Sequence, residues 1–147
     1  MQIWTDIRHR DAGISPGEVE RLASRILKEL GLPEAELSLV LVDDEEMARL
    51  NLRYLRRTGP TNVIAFPMRE GEGGHVAPNL LGDVVISLDT ARREAGEAGI
   101  PWRERLAALL VHGILHLLGH DHEQGEGEAE RMEAEEKRLT ALLKGRD

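Results

Sequence analysis

The sequence lacks cysteine, long apolar runs and a recognisable targeting segment. Because there is no cysteine, disulfide bonds and thiolate metal sites are excluded, and any bound metal must use imidazole or oxygen ligands. No stretch of about 18 apolar residues occurs, which is the length that a membrane-spanning helix needs. The N-terminal residues mix charged and apolar side chains, unlike the apolar centre of a signal peptide. We therefore expect a cytoplasmic protein that does not contact a membrane.

Acidic residues are absent from one stretch of an otherwise acidic chain. The net charge of −8 argues against a general affinity for nucleic acid, since attraction to phosphates normally requires a basic surface. However, the range from Met47 to Arg69 contains five arginines and no acid, whereas Glu123 to Glu136 contains seven glutamates. The basic segment can therefore accept phosphate groups while the remainder keeps the protein soluble.

The length of 147 residues and the absence of repeats or linkers predict a single domain over residues 1–147. Short apolar runs indicate strands, and longer amphipathic segments indicate helices. Strands are predicted over residues 2–7, 37–42, 62–66 and 81–88. We expect an α+β fold in which a small mixed four-stranded sheet is packed with about five helices that cover its edges and one face.

Capping residues predict where the helices begin. Ser15 and Glu18 form a capping box around Pro16, so the first helix starts there. Asp43 or Asp44 is expected to cap the second helix, and Asp89 the third. The core-facing side of the second helix is predicted to consist of Met47, Leu50 and Tyr54.

Four of the six histidines lie between His112 and His122, directly after an apolar run over residues 106–111. On a helix, His112 and His116 share one face, about 40° apart, so both can point at the same ion. Burying two imidazoles together is costly unless something binds them. The spacing therefore predicts a divalent metal site, suited to zinc, on a buried central helix.

The third ligand depends on Gly119, because glycine is the usual residue just past a helix end, where the chain reverses with positive φ. Such a turn favours His122 as the third ligand, whereas a helix that continued would keep His120 near the same face. Three histidines leave at least one position open for water, which is typical of catalytic zinc. Asp121 either orients a histidine ring as a hydrogen-bond acceptor or serves only as a turn residue.

The position after the first histidine lacks a glutamate. In zinc peptidases of the His-Glu-x-x-His type that glutamate is the general base, and here the position is Gly113. The sequence therefore disfavours a peptidase.

The chain resembles the YbeY family of bacterial rRNA-maturation endoribonucleases over nearly its whole length. The family motif His-Gly-x-Leu-His-Leu-x-Gly-Tyr-Asp-His is present from His112 to His122, with His120 in place of the tyrosine. Further matching segments are Leu50-Asn51 followed by Tyr54, then residues 60–67, residues 81–87, and Met132 with Glu135.

This resemblance implies a zinc-dependent, single-strand-specific endoribonuclease with one zinc ion per chain, bound by His112, His116 and His122. It also implies action in 16S rRNA 3′-end maturation and ribosome quality control, with rRNA precursor and the ribosome or its small subunit as partners. Two alternatives are a zincin-like metallopeptidase or other metallohydrolase, and a noncatalytic ribosome-associated zinc module.

The chain departs from the family at one basic position. Members usually have an arginine directly after the aromatic residue of the second segment, to which RNA binding or catalysis is assigned, and this chain has Leu55 there. Either Arg56 substitutes through a shift of one residue, or Arg57 acts alone. A guanidinium beside the metal would neutralise the charge that builds on a phosphodiester during cleavage. The alternative is that both are ordinary solvated arginines.

Overall fold

A computed structural model describes residues 1–68, 79–119 and 126–144. This part of the chain forms four strands and five helices, in the order β1 (Gln2–Arg8), α1 (Pro16–Glu29), β2 (Glu36–Val42), α2 (Asp44–Leu55), β3 (Val63–Pro67), β4 (Leu80–Ser87), α3 (Leu88–Ala98), α4 (Trp102–Leu117) and α5 (Glu126–Lys144). The predicted α+β fold is confirmed. No helix within the described residues is long and apolar enough to cross a membrane.

The sheet is mixed, with the strand order β1-β2-β4-β3. Strands β1, β2 and β4 run parallel, and β3 pairs with β4 in the antiparallel direction. Gly82 lies beside a register shift in the β2–β4 pair, and its φ of 138° is one that glycine adopts readily. A Cβ atom there would lie 2.2 Å from the carbonyl oxygen of Phe66, so a side chain cannot be accommodated. This glycine lets β3 approach β4 closely.

Alternating residues of the strands contribute to two apolar clusters on opposite faces of the sheet. Val63 and Ala65 of β3 face the larger cluster, together with α1, α4 and α5. Ile64 and Phe66 face the smaller cluster, in which Met47 of α2 is fully buried. Helices therefore cover part of both faces, where the sequence predicted one covered face.

Helix α4 is the central helix of the domain. Its buried residues include Leu106, Leu110 and Ile114, each 0% exposed. It ends at Leu117, and Gly119 follows with a φ of 86°, which confirms the predicted turn. A helix that is apolar on most sides is buried, as the sequence predicted.

Two predictions about α2 and α3 are wrong. Ser87, rather than Asp89, caps α3 by accepting the N–H of Thr90 at 3.2 Å. Asp89 instead accepts the N–H of Asp44, at the first turn of α2. Tyr54 is 54% exposed and does not face the core, because the last turn of α2 is exposed on all sides.

Candidate metal centre

Helix α4 brings His112 and His116 together, as their spacing predicts. The two ring centroids are 4.4 Å apart, with 52° between the ring planes. The side chain of His112 is 35% exposed, so the pair lies where the buried helix reaches solvent. Two adjacent imidazoles at such a boundary fit the donor set that a divalent first-row ion prefers.

Glu136 of α5 contacts His112. Its carboxylate oxygen Oε1 accepts a hydrogen bond from Nδ1 of the imidazole. An ionised carboxylate can only accept, so Nδ1 is the donor, and in the neutral ring the lone pair is on Nε2. A carboxylate on the outer nitrogen of a metal-binding histidine fixes the ring and its tautomer. Glu136 thus selects the neutral tautomer of His112 whose Nε2 a metal ion can bind.

Sequence reasoning missed Glu136 and singled out its neighbour Glu135. The structure pairs Glu135 with Arg138. Both glutamates lie within three or four residues of the buried Met132 and Leu139, and their side chains are similarly exposed, 28% for Glu135 and 27% for Glu136. The helix period therefore does not distinguish them, and only the packing of α5 on α4 shows that Glu136 is the one that meets His112.

A groove of about 530 Å³ runs past His112 between α4, α5 and the start of β3. The charged residues that line it are largely engaged in ion pairs. Arg105 pairs with Glu94 at 2.9 Å, and Lys137 pairs with Glu133 at 3.3 Å. The groove gives access to His112 but offers a substrate few unpaired cations.

Gly113 explains how α4 lies so close to the sheet. A Cβ atom at this position would lie 2.6 Å from Cγ1 of Val84 and 3.3 Å from Cγ2 of Val63. The position therefore faces the sheet and has no room for a side chain. A glutamate base of the peptidase type cannot be accommodated here.

The rest of the predicted centre lies outside the described residues. These are His120, Asp121 and the predicted third ligand His122, whose roles stay predictions. Within residues 1–68, 79–119 and 126–144, no three histidine, aspartate or glutamate side chains are grouped so that they could hold a metal ion.

Arg56 and Arg57 lie directly after α2. Arg56 caps the helix in the left-handed conformation, with a φ of 56°, and both side chains are exposed. The loop that carries them is held by Asn51, which donates from Nδ2 to the carbonyl of Gly59 at 2.8 Å. Neither arginine is among the residues that line the groove beside His112.

A second polar cluster lies at the carboxyl ends of β2 and β4. Asp44 accepts hydrogen bonds from Ser87 at 2.7 Å, from Thr90 at 2.6 Å and from Arg93 at 2.6 Å. Burial alone would raise the pKa of Asp44, but the bonds from Thr90, Arg93 and Ser87 outweigh it and lower the pKa. This cluster joins α2 to α3.

Asp89 belongs to the same cluster. It accepts from Nε2 of His9 at 2.8 Å and from the backbone N–H of Asp44 at 2.9 Å. Burial raises the pKa of Asp89, and the hydrogen bonds from His9 and Asp44 lower it further than burial raises it. The hydrogen bonds of Asp44 and Asp89 hold neighbouring elements together, and both oxygens of each carboxylate take part in them.

Comparison with known proteins finds similar chains over almost the whole length of this one. The chain is 51% identical over 143 residues to a protein named Endoribonuclease YbeY from Syntrophotalea carbinolica, covering 97% of this chain and 95% of that protein. A protein of the same name from Geobacter metallireducens is 50% identical over 144 residues, with 97% and 96% coverage.

A solution structure of a Thermotoga maritima protein superposes with a TM-score of 0.70, covering 98% of this chain and 90% of that one. At 22% identity this likeness supports the fold alone. The family described as Endoribonuclease YbeY matches residues 5–144. Because the family matches almost the whole chain and two relatives are 51% and 50% identical to it, the chain belongs to the YbeY family.

Proposed function

We propose that this protein is a metal-dependent endoribonuclease that cleaves single-stranded RNA. The observation that carries the proposal is the pair of adjacent imidazoles on α4, one of them held by Glu136, at the side of an open groove. The names of the relatives support RNA as the substrate.

His112, His116 and the predicted His122 would hold one zinc ion per chain. Bound there, zinc would supply Lewis acidity toward water and toward a phosphoryl oxygen. The donor set of imidazoles without thiolates suits zinc and other divalent first-row ions.

The residues of the chain have separate tasks in this reaction. Glu136 keeps the proton of His112 on Nδ1 and so holds the ring in one orientation. Gly113 lets α4 rest on the sheet, which fixes the height of both histidines. Arg56 or Arg57 would bind a phosphate of the RNA strand, since guanidinium groups bind phosphates in a bidentate manner.

The biological substrate in this proposal is rRNA precursor. The protein would act in the cytoplasm on the 3′ end of 16S rRNA and in ribosome quality control, in association with the ribosome or its small subunit. The family membership is what supports this role.

The test compares wild-type protein with His112→Ala and His116→Ala. We expect both substitutions to lower the bound metal and to abolish cleavage of single-stranded RNA by protein free of contaminating nuclease. His9→Gln is a matched control, because His9 bonds Asp89 and lies outside the centre. Unchanged cleavage in both alanine variants would contradict the proposal.

A further inference from the structure

Among the described residues, six large apolar side chains are exposed, and three of them lie in the last turn of α2. Leu52 is 60% exposed, Tyr54 is 54% exposed and Leu55 is 43% exposed. Met68, just after β3, is 45% exposed. Within the described residues, only Met1 and Trp4 are comparable. We use the name α2 patch for residues 52–57.

The ring of Tyr54 is held in place although it is exposed. Phe66 of β3 packs against it edge to face, with centroids 5.4 Å apart and 73° between the planes. The guanidinium carbon of Arg53 lies over the ring, 5.5 Å from its centre, so a base would stack on the part of the ring that Arg53 leaves open. An aromatic ring that is both supported and accessible is a suitable platform for stacking.

The α2 patch also provides positive charge. Residues 47–68 contain four arginines and no acid. Arg49 pairs with Glu45 at 3.0 Å. Elsewhere in this stretch, Arg53, Arg56 and Arg57 form no ion pair with any residue of the described ranges. Unpaired guanidinium groups in a chain of net charge −8 point to a negatively charged ligand.

The backbone of the patch is ordered. The N–H of Arg56 donates to the carbonyl of Leu52 at 3.1 Å, and that of Arg57 donates to the carbonyl of Asn51 at 3.3 Å. Asn51 in turn bonds Gly59. The arginines therefore project from a defined loop, which lowers the entropy that is lost on binding.

We infer that the α2 patch binds single-stranded RNA on the other side of β3 from the histidines, with one base stacked on Tyr54 and phosphates on Arg53, Arg56 and Arg57. The inference rests on the proposed function. A stacked platform requires an unpaired base, because in a duplex both faces of each base are covered. The combination of an aromatic ring with unpaired arginines favours nucleic acid over a protein partner.

The patch and the histidines lie on different sides of β3. Val63 and Ala65 point toward α4, whereas Ile64 and Phe66 point toward α2. Strand β3 is an edge strand of the sheet. An RNA strand must therefore pass around this edge to reach both sites, and we expect a dinucleotide to be too short to contact both.

The first experiment measures binding of a fluorescent 2′-O-methyl oligoribonucleotide, which resists cleavage, to the full chain. Tyr54→Ala should raise Kd on the order of ten- to a hundredfold. Tyr54→Trp and Tyr54→Phe should bind as wild type does. Tyr54→Leu, which keeps apolar surface without a ring, should bind as weakly as Tyr54→Ala.

Trp4→Ala is the matched control. Trp4 is 48% exposed and lies on β1, at the opposite edge of the sheet. Its replacement should leave Kd unchanged. Arg56→Gln and Arg57→Gln should each lower the slope of log Kd against log salt by about 0.7, whereas Arg10→Gln, outside the patch, should not.

A second experiment separates this inference from the proposed function. For cleavage of a long single strand, Tyr54→Ala should raise KM and leave kcat unchanged, while for a dinucleotide it should change neither. If long strands are cleaved and Tyr54→Ala alters neither KM nor Kd, the inference is wrong and the endoribonuclease stands. If Tyr54 governs binding but RNA is not cleaved, the inference stands and the endoribonuclease fails. Binding by Tyr54→Leu equal to wild type would exclude stacking.

Discussion

At the scale of single residues, Gly113 decides how closely α4 approaches the sheet. Its missing side chain makes room for Val84, whose Cγ1 would lie 2.6 Å from a Cβ atom. Real Cβ atoms do not come so close to another carbon, so any side chain here would force the helix outward or distort β4. The distance of both histidines from the sheet depends on this contact.

Gly113→Ala should therefore lower the free energy of unfolding by about 1–3 kcal/mol through overpacking. Gly96→Ala is the matched control, because Gly96 is exposed in α3 and a Cβ atom there would meet nothing within 4 Å. That substitution should raise stability by about 0.5–1 kcal/mol. Urea denaturation of both variants measures these free energies of unfolding. If the two substitutions change stability equally, Gly113 is not tightly packed.

Glu136 is the residue that sequence reasoning missed, and it can be tested apart from catalysis. Glu136→Gln should weaken zinc affinity by about 10–100-fold, because a neutral amide holds the His112 ring less firmly and raises its basicity less. Titration calorimetry with zinc measures this directly.

Glu133→Gln is the control for Glu136→Gln. Glu133 lies on the same helix and lines the same groove but pairs with Lys137. Glu133→Gln should bind zinc as tightly as wild type does, because it removes the same charge from a residue that does not hold His112. If both variants lose zinc affinity equally, the negative charge of α5 as a whole, and not the hydrogen bond from Glu136 to His112, sets that affinity.

At the scale of elements, Asp44 ties the start of α2 to α3. Three hydrogen bonds converge on its carboxylate, and its pKa is lowered. A carboxylate whose folded-state pKa is depressed stabilises the protein above its ordinary pKa near 4, and this stabilisation disappears as the pH falls through the lowered value.

Asp44→Asn should destabilise the protein by about 1–3 kcal/mol at neutral pH. The difference from wild type should stay constant from about pH 5 to pH 8 and shrink below about pH 4. Thermal unfolding across this range measures it. Glu45→Gln, which removes an exposed pair with Arg49, should change stability by less than about 1 kcal/mol at every pH.

The segment between α2 and β3 was only partly predictable from the local sequence. The turn residues Gly59 and Pro60 mark the loop, and the arginines before it are visible in the sequence. That Tyr54 is exposed was not predictable, because its spacing from Met47 and Leu50 fits a buried stripe. The stripe ends early because Tyr54 meets the ring of Phe66 edge to face and stays 54% exposed, while Leu52 and Leu55 beside it are exposed as well.

At the scale of the whole molecule, apolar packing surrounds the helix that carries the histidines. Helix α4 packs against α1, α3, α5 and the sheet through apolar side chains. We therefore expect chelator-treated protein to keep a cooperative thermal unfolding transition while cleavage of single-stranded RNA stops. Circular dichroism and an RNA cleavage assay on the same sample check this. Loss of the transition on chelation, with no activity in either state, would instead support a noncatalytic zinc module.

Features that depend on neighbours within a few positions could be predicted from the amino-acid sequence. Among these are the shared helix face of His112 and His116, the turn at Gly119, the capping box at Ser15 and the strand segments. Each of them follows from the period of a helix or strand, or from the conformational range of one residue.

Contacts between residues far apart in the chain appear only in the folded structure. Glu136 reaches His112 across 24 positions, and Asp89 accepts the N–H of Asp44 in α2 instead of capping its own helix. Tyr54 meets Phe66 of a later strand and stays 54% exposed. Such contacts depend on how the helices and strands pack around the two faces of the sheet, and the periodicity of a single segment carries no record of that packing.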